Sequence, residues 1–215
     1  RTLSFKSMKP LFVLLVVAFL PFHDGDWELK KDKNDIKVYT KHVEGSSLKA
    51  IKATTTFSAS LETCAAILRD IDHLTDLFPD TRSVKKISQS ESEQVHYLEM
   101  DAPWPVADRD GAFRLVYTYT AATKTLLVDA KMVPDAYPVQ EKFIRLSKGG
   151  GTWTFKRVDA THTTLDYYFH GDPGGNIPSW LANSVVEENP LKLLQNFHDL
   201  VKLERYQGKK FAFIK

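Results

Sequence analysis

Alternating apolar and polar positions, rich in β-branched and aromatic residues, run through most of the chain and predict a strand-rich fold. Strands are predicted at 36–43, 48–57, 84–90, 94–100, 112–120, 125–132, 142–146, 152–158 and 163–170. Turn-forming residues separate them, including those at 108–111 and the glycine triplet at 149–151. Because these connections are short, the strands are expected to form a meandering antiparallel sheet. Large side chains occupy every second position from Phe113 to Tyr119, so one face of the sheet contacts something apolar.

Two segments have apolar residues at helical spacing instead. The first follows Ser60, whose hydroxyl can cap the first turn, and ends in the stretch 70–79. The second starts at Pro178, which suits a first helical turn, and we expect Pro190 to end one helix and begin another that continues toward Tyr206. The simplest assembly is an α+β fold in which a long C-terminal helix crosses a curved antiparallel sheet.

The first 25 residues have the pattern of an export signal. Positions 11–20 are ten uncharged, mostly large apolar residues that follow the basic residues Arg1, Lys6 and Lys9. The run is too short to cross a bilayer, which needs about 20 such residues. We therefore expect a signal peptide at 1–25, a single domain at 26–215, and a bacterial protein that is exported to the periplasm or secreted. The absence of a small-x-small cleavage pattern leaves an uncleaved anchor open, and a buried N-terminal segment is the remaining alternative.

Composition narrows the possible partners and chemistry. The 215 residues include 29 Lys and Arg against 27 Asp and Glu, and removal of residues 1–25 would leave equal numbers of the two. Such a balance argues against nucleic-acid binding, which uses a basic surface. The single cysteine, Cys64, cannot form an internal disulfide or a cysteine-rich zinc site and is expected to be a small core residue.

Motifs for catalysis and cofactor binding are absent from the sequence. There is no HExxH, GxSxG or GxxxxGK[ST] motif, so neither a nucleotide cofactor nor a catalytic metal is indicated. The acidic stretch 70–76 begins like a calcium loop, but Thr75 stands where that loop needs glycine. Glu99 and Asp166 lie on predicted strands and could act as bases in a cavity, although neither belongs to a patterned acid/base pair.

The stretch 103–110, Pro-Trp-Pro-Val-Ala-Asp-Arg-Asp, resembles the PWP-x-x-x-RD signature of START domains, the lipid-transfer family related to the steroidogenic acute regulatory protein. Three further stretches resemble the family and occur in its order, at 27–40, 144–153 and 172–183. The resemblance extends from Trp27 to about Tyr206, so it covers nearly the whole predicted domain.

The resemblance implies a helix-grip fold, in which a curved antiparallel sheet wraps around the C-terminal helix and encloses a tunnel for one lipid or other apolar molecule. Apolar burial alone can provide affinity in such a tunnel. The expected ligand-contacting residues are Tyr97, Glu99, Phe113, Leu115, Tyr117, Tyr119, Trp153, Tyr168, Trp180, Leu181, Ser184 and Val185. Plain core packing is the alternative for each of them. Arg109 and Asp110 are expected to stabilise their turn through a structural ion pair.

One position departs from the family pattern. Several sterol-binding members have an arginine six residues after the RD arginine, whereas this chain has Leu115. A buried arginine would orient a ligand hydroxyl or head group, so its absence argues against a sterol. It suggests a more apolar tunnel, or a polar contact from Tyr97, Glu99, Tyr117 or Tyr168.

The leading hypothesis is a monomeric, non-enzymatic carrier or sensor of a lipid or other apolar molecule, with transient contact to a membrane surface and no cofactor. The alternative is a helix-grip cyclase or hydrolase in which Glu99, Asp166 or His170 supplies acid/base chemistry within the tunnel. That alternative requires one of the carboxylates to face inward with a strongly raised pKa. A protein-interaction module, with a filled core in place of a tunnel, is a third and weaker hypothesis.

Overall fold

A computed structural model describes residues 27–46, 48–175 and 177–215, without the side chains at 179, 180, 182, 184 and 185. In this part of the chain ten strands form one sheet, in the order β1-β2-β3-β10-β9-β7-β6-β5-β4, with β8 pairing beside β6. The strands are β1 (Glu28–Lys33), β2 (Ile36–Lys41), β3 (Ala50–Phe57), β4 (Thr81–Gln89), β5 (Glu93–Met100), β6 (Arg109–Thr120), β7 (Thr125–Met132), β8 (Ile144–Arg145), β9 (Gly149–Arg157) and β10 (Thr163–Gly171). All neighbours pair antiparallel except β6 and β8.

Three α-helices accompany the sheet in the described residues: α1 (Leu61–Arg69), α2 (Leu74–Leu77) and α3 (Ser179–Leu200). The predicted cap of α1 is present, since the Thr63 amide donates to Ser60 Oγ at 3.1 Å. Helix α3 packs against β2 and β3. Its Phe197 ring stacks on Phe57 with 4.5 Å between ring centroids, which places the main core between α3 and the sheet. The predicted α+β helix-grip architecture is confirmed.

Strand β1 lies outside the predicted strands. Its sequence, Glu-Leu-Lys-Lys-Asp-Lys, is almost entirely polar, and four of its six residues are exposed. Strand β1 is at the edge of the sheet, where charged residues discourage pairing with another chain. The alternation pattern therefore carried no signal for it.

The prediction of a turn at the glycine triplet is wrong, because the three glycines belong to β9. A Cβ on Gly151 would lie 2.1 Å from the Tyr168 carbonyl oxygen, and one on Gly150 would lie 2.5 Å from the Ala130 carbonyl oxygen. The glycines thus allow β10 and β7 to approach β9 more closely than any side chain would permit.

The prediction of a helix break at Pro190 is also wrong, since α3 continues through it. Proline lacks the N–H that would bond the Val186 carbonyl, so a local cost is expected. Helix α3 nevertheless buries Val186, Leu193, Leu194 and Phe197 on both sides of the proline. Tertiary packing of this kind outweighs a local helix preference.

Candidate ligand-binding site

The concave face of the sheet and α3 enclose a cavity that consists of two adjoining chambers. The inner chamber has a volume of about 280 Å³ and lies under α3, against β5, β6, β7, β9 and β10. The outer chamber has a volume of about 240 Å³. Each is close to the lower end of the range for small-molecule pockets, about 300–1,000 Å³. Both chambers are lined by Pro79, Met100, Met132, Leu146, Phe169, Val186 and Asn189.

The two chambers differ in charge. None of the described residues that line the inner chamber is charged, and its polar residues are Thr81, His96, Tyr167 and Asn189. The outer chamber carries charged residues, which are Asp80, Asp101, Arg109 and Asp172. The outer chamber is also the more open of the two, so we call it the entrance, and its surface is mostly apolar like that of the inner chamber.

Several predicted contact residues lie at this cavity. Phe113, Leu115 and Trp153 line the inner chamber, and Leu181 of α3 lines the outer one. Leu115 is 5% exposed and occupies the position where an arginine would orient a polar group of the ligand. The cavity wall at this position is therefore apolar.

Tyr117 and Tyr119 continue the same face of β6 beyond the cavity. Tyr117 is buried, and its hydroxyl donates to Gln94 Oε1 at 3.1 Å. Burial raises the pKa of the Tyr117 phenol, because the charged phenolate is poorly solvated there. Tyr119 packs at the margin of the core. Both residues extend the core and do not line either chamber. The side chains of Trp180, Ser184 and Val185 lie outside the described residues.

Tyr97, Glu99 and Tyr168 lie on the outer face of the sheet, contrary to the prediction. Neighbouring residues alternate between faces, and His96 and Leu98 are the ones on β5 that line the inner chamber. Tyr168 is 40% exposed and packs edge-on against Trp27, with 6.3 Å between ring centroids. None of the three is positioned to contact a molecule inside the cavity.

Arg109 and Asp110 are structural residues, but they do not form the expected ion pair with each other, and they begin β6 rather than a turn. Arg109 donates to the carbonyl oxygens of Pro173 and Gly174, each at 3.2 Å, and so joins β6 to the segment that leads into α3. Burial lowers the pKa of Arg109. The side chain also lines the outer chamber, so it contributes to the entrance as well as to the fold.

Asp110 pairs with Arg145 instead. The guanidinium makes two hydrogen bonds of 2.8 Å to the carboxylate, and the Tyr97 hydroxyl donates a third at 2.9 Å. Burial, followed by this hydrogen bond to Asp110, raises the pKa of Tyr97. The Tyr97 ring stacks on Tyr137 with 3.9 Å between centroids. This buried cluster holds the segment between β7 and β8 against the outer face of the sheet.

The residues considered for acid/base chemistry also lie away from the cavity. Asp166 is exposed on the outer face of β10. The His170 ring is 3.1 Å from Ser46 Oγ, and Glu99 shares the outer face with Tyr97. The cavity lining contains neither of the two predicted carboxylates, so the inward acid required by the enzymatic alternative is not found at either position.

His96 is the residue at the cavity that sequence reasoning missed. It is 2% exposed and lines the inner chamber. Burial lowers the pKa of its imidazole to about 4, so the ring is neutral near pH 7. The alternation of side chains along β5 could have indicated it, because His96 lies on the same face as the apolar residues Leu98 and Met100.

Within the described ranges, no group of three or more His, Cys, Asp or Glu residues is arranged to hold a metal ion. Cys64 is fully buried in the core, and burial raises the pKa of its thiol. No helix in the part of the chain that the structure describes is long and apolar enough to cross a membrane.

Comparison with known proteins identifies the family. The START domain family model matches residues 22–205, nearly the whole chain. The chain belongs to the START domain family. This START domain is 34% identical over 170 residues to an uncharacterized protein of Pseudomonas aeruginosa, a match that covers 79% of this chain and 84% of the relative. It is 25% identical over 199 residues to the mouse phosphatidylcholine transfer protein, covering 81% and 86% of the two chains.

A solved structure of similar shape supports the same assignment. The START domain superimposes with a TM-score of 0.78 on a STAR-related lipid transfer protein from Xanthomonas axonopodis. The two are 34% identical, and the match covers 83% of this chain and 100% of the other. The resemblance inferred from the 103–110 motif is thereby confirmed for both family and fold.

Proposed function

We propose that this START domain binds one lipid or other apolar molecule in the cavity between the sheet and α3 and carries it without changing it chemically. The observation that supports the proposal most directly is the inner chamber, whose described lining has no charged side chain. Burying apolar ligand surface there contributes about 25 cal/mol for each Å² removed from water, and no reactive group is needed for that affinity.

The names of two relatives agree with this proposal. One is a phosphatidylcholine transfer protein, and the similar solved structure is a STAR-related lipid transfer protein. Conversely, Glu99, Asp166 and His170 lie on the outer face, so no described observation favours a cyclase or hydrolase over a carrier. We also propose that the protein acts as a monomer.

Helix α3 is proposed to act as the lid over the cavity. Its residues Val186, Asn189 and Pro190 form part of the wall of the inner chamber. The Asn189 amide donates to the Asp80 carboxylate at 3.2 Å, which links α3 to the loop after α2 beside the entrance. A ligand enclosed in this way can leave only when the helix or an adjoining loop moves.

Exchange is proposed to take place at a membrane surface. Trp104 is 92% exposed, and its neighbours Pro103 and Val106 line the outer chamber. Tryptophan prefers the interface between water and lipid, so this loop would place the entrance of the cavity against a bilayer. The apolar run at 11–20, which lies outside the described residues, supports export of the protein from the bacterial cytoplasm.

A cavity-filling variant tests the proposal. Ala130 lines the inner chamber, whereas the neighbouring Lys131 is exposed on the opposite face of β7. Phenylalanine at Ala130 should occupy ligand space, and phenylalanine at Lys131 should not. Binding of the uncharged dye Nile Red is measured by fluorescence, with thermal unfolding to verify the fold of each variant.

We expect Nile Red to bind the wild type and Lys131→Phe with similar affinity and Ala130→Phe at least tenfold more weakly. Equal binding by all three proteins, or no binding by the wild type, would overturn the proposal.

A further inference from the structure

The inner chamber is lined by a histidine with a buried nitrogen that no described residue satisfies. His96 lies in the middle of β5, opposite Phe113 of β6, and the two rings are stacked with 6.1 Å between centroids. Its side chain is almost completely buried, yet Nδ1 has no hydrogen-bond partner among the described residues. A buried polar atom without a partner lowers stability, so an unpaired imidazole at a cavity wall points to a group supplied from the cavity.

The surroundings of His96 define the chemistry of that group. None of the described residues that line the inner chamber is charged, and burial is the cause that holds the imidazole neutral. A charged ligand group would therefore lose its hydration without gaining a counter-ion. A neutral imidazole offers one N–H donor and one nitrogen acceptor, which match a carbonyl or a hydroxyl.

We propose that His96 is the polar anchor of the cavity and forms a hydrogen bond to a single uncharged hydroxyl or carbonyl group on an otherwise apolar ligand. The proposal rests on the function proposed above and specifies the ligand class more narrowly. In this proposal His96 of β5 selects ligands that carry the polar group, while the apolar walls provide most of the affinity. A wholly hydrocarbon ligand would leave Nδ1 unpaired, and a ligand with a buried ionic group would be rejected.

Matched probes that differ in one hydroxyl test this assignment. Displacement of Nile Red by 1-dodecanol and by dodecane is measured for the wild type, for His96→Phe and for Lys131→Phe. The phenylalanine keeps a ring at position 96 and removes both nitrogens. Lys131→Phe adds a phenylalanine on the outer face of β7 and leaves the cavity wall and the imidazole unchanged.

We expect the ratio of dodecanol to dodecane affinity to fall by about twofold to tenfold in His96→Phe, as for loss of one hydrogen bond, and to stay unchanged in Lys131→Phe. Nitrogen-15 NMR of the wild-type imidazole provides a second readout that needs no variant. Dodecanol should shift the His96 nitrogen resonances, and dodecane should leave them in place.

The possible failures are distinguishable. If Nile Red does not bind the wild type, the carrier function itself is wrong. If Nile Red binds but the dodecanol to dodecane ratio is the same in the wild type and His96→Phe, only the assignment of His96 is overturned. Identical NMR shifts with the two probes would also overturn it.

Discussion

Asp110 is fully buried, and its charge is balanced by Arg145 and by the Tyr97 hydroxyl. Hydrogen bonding to Asp110 raises the pKa of Arg145, whose side chain is 13% exposed. The cluster lies on the face of the sheet opposite the cavity. Its contribution is therefore to stability and not to ligand contact.

Replacing one member of this pair should be costly. Arg145→Met leaves a buried carboxylate without its counter-ion, and we expect it to lower the free energy of unfolding by about 3–5 kcal/mol. Arg114→Met is the matched control, because Arg114 pairs with Glu93 at the surface and such pairs contribute about 1 kcal/mol or less. Urea denaturation measures both, and equal losses would contradict the role assigned to Asp110.

His96 should make stability depend on pH. In the folded protein its pKa is about 4, whereas the ordinary value is 6.5, so the unfolded chain binds the proton first as the pH falls. The wild type should lose up to about 3 kcal/mol between pH 6.5 and 4 from this group. His96→Phe should show a correspondingly flatter profile in urea denaturation across that window, and parallel profiles would contradict the prediction.

The sequence predicted the cavity-lining residues of some strands better than those of others. On β6 a row of large apolar residues identified the inward face, and Phe113 and Leu115 do line the cavity. On β5 the search for a polar contact favoured Tyr97 and Glu99, although parity with Leu98 indicates His96 instead. The partner of Asp110 could not be predicted, since Arg145 is 35 residues away and reaches it through pairing of β8 with β6.

At the scale of elements, the alternation pattern predicted the sheet well because most strands bury one face. It failed where another requirement dominated, as at the polar edge strand β1, at Pro190 and at the glycines of β9. The glycines resemble a turn in sequence, but their role is to permit close approach of neighbouring strands, which depends on residues distant in the chain.

This account of β9 predicts that Gly151 tolerates no side chain. A Cβ there would lie 2.1 Å from the Tyr168 carbonyl oxygen, which is backbone and cannot move alone. Gly151→Ala should therefore lower the free energy of unfolding by about 1–3 kcal/mol, the usual cost of overpacking. Thr152→Ala, on the outward face of the same strand, should cost about 1 kcal/mol or less in thermal unfolding. Wild-type stability of Gly151→Ala would refute this reading of the triplet.

For the whole molecule, the position of Trp104 beside the entrance predicts a separation between ligand binding and ligand transfer. Trp104→Ser should leave Nile Red affinity unchanged and slow the movement of a pyrene-labelled long-chain alcohol between vesicles severalfold. Val158→Ser is the control, because Val158 is 59% exposed and follows the end of β9 farthest from the entrance. Equal transfer rates for the two variants would contradict membrane docking through Trp104.

The central claim is that the cavity holds one apolar molecule, and native mass spectrometry of protein purified from its own cells tests it most directly. The account predicts a one-to-one adduct that organic extraction recovers as an intact, uncharged or weakly polar lipid-class molecule, and that Ala130→Phe lacks. A protein mass without any adduct, before and after incubation with mixed-lipid vesicles, would contradict it.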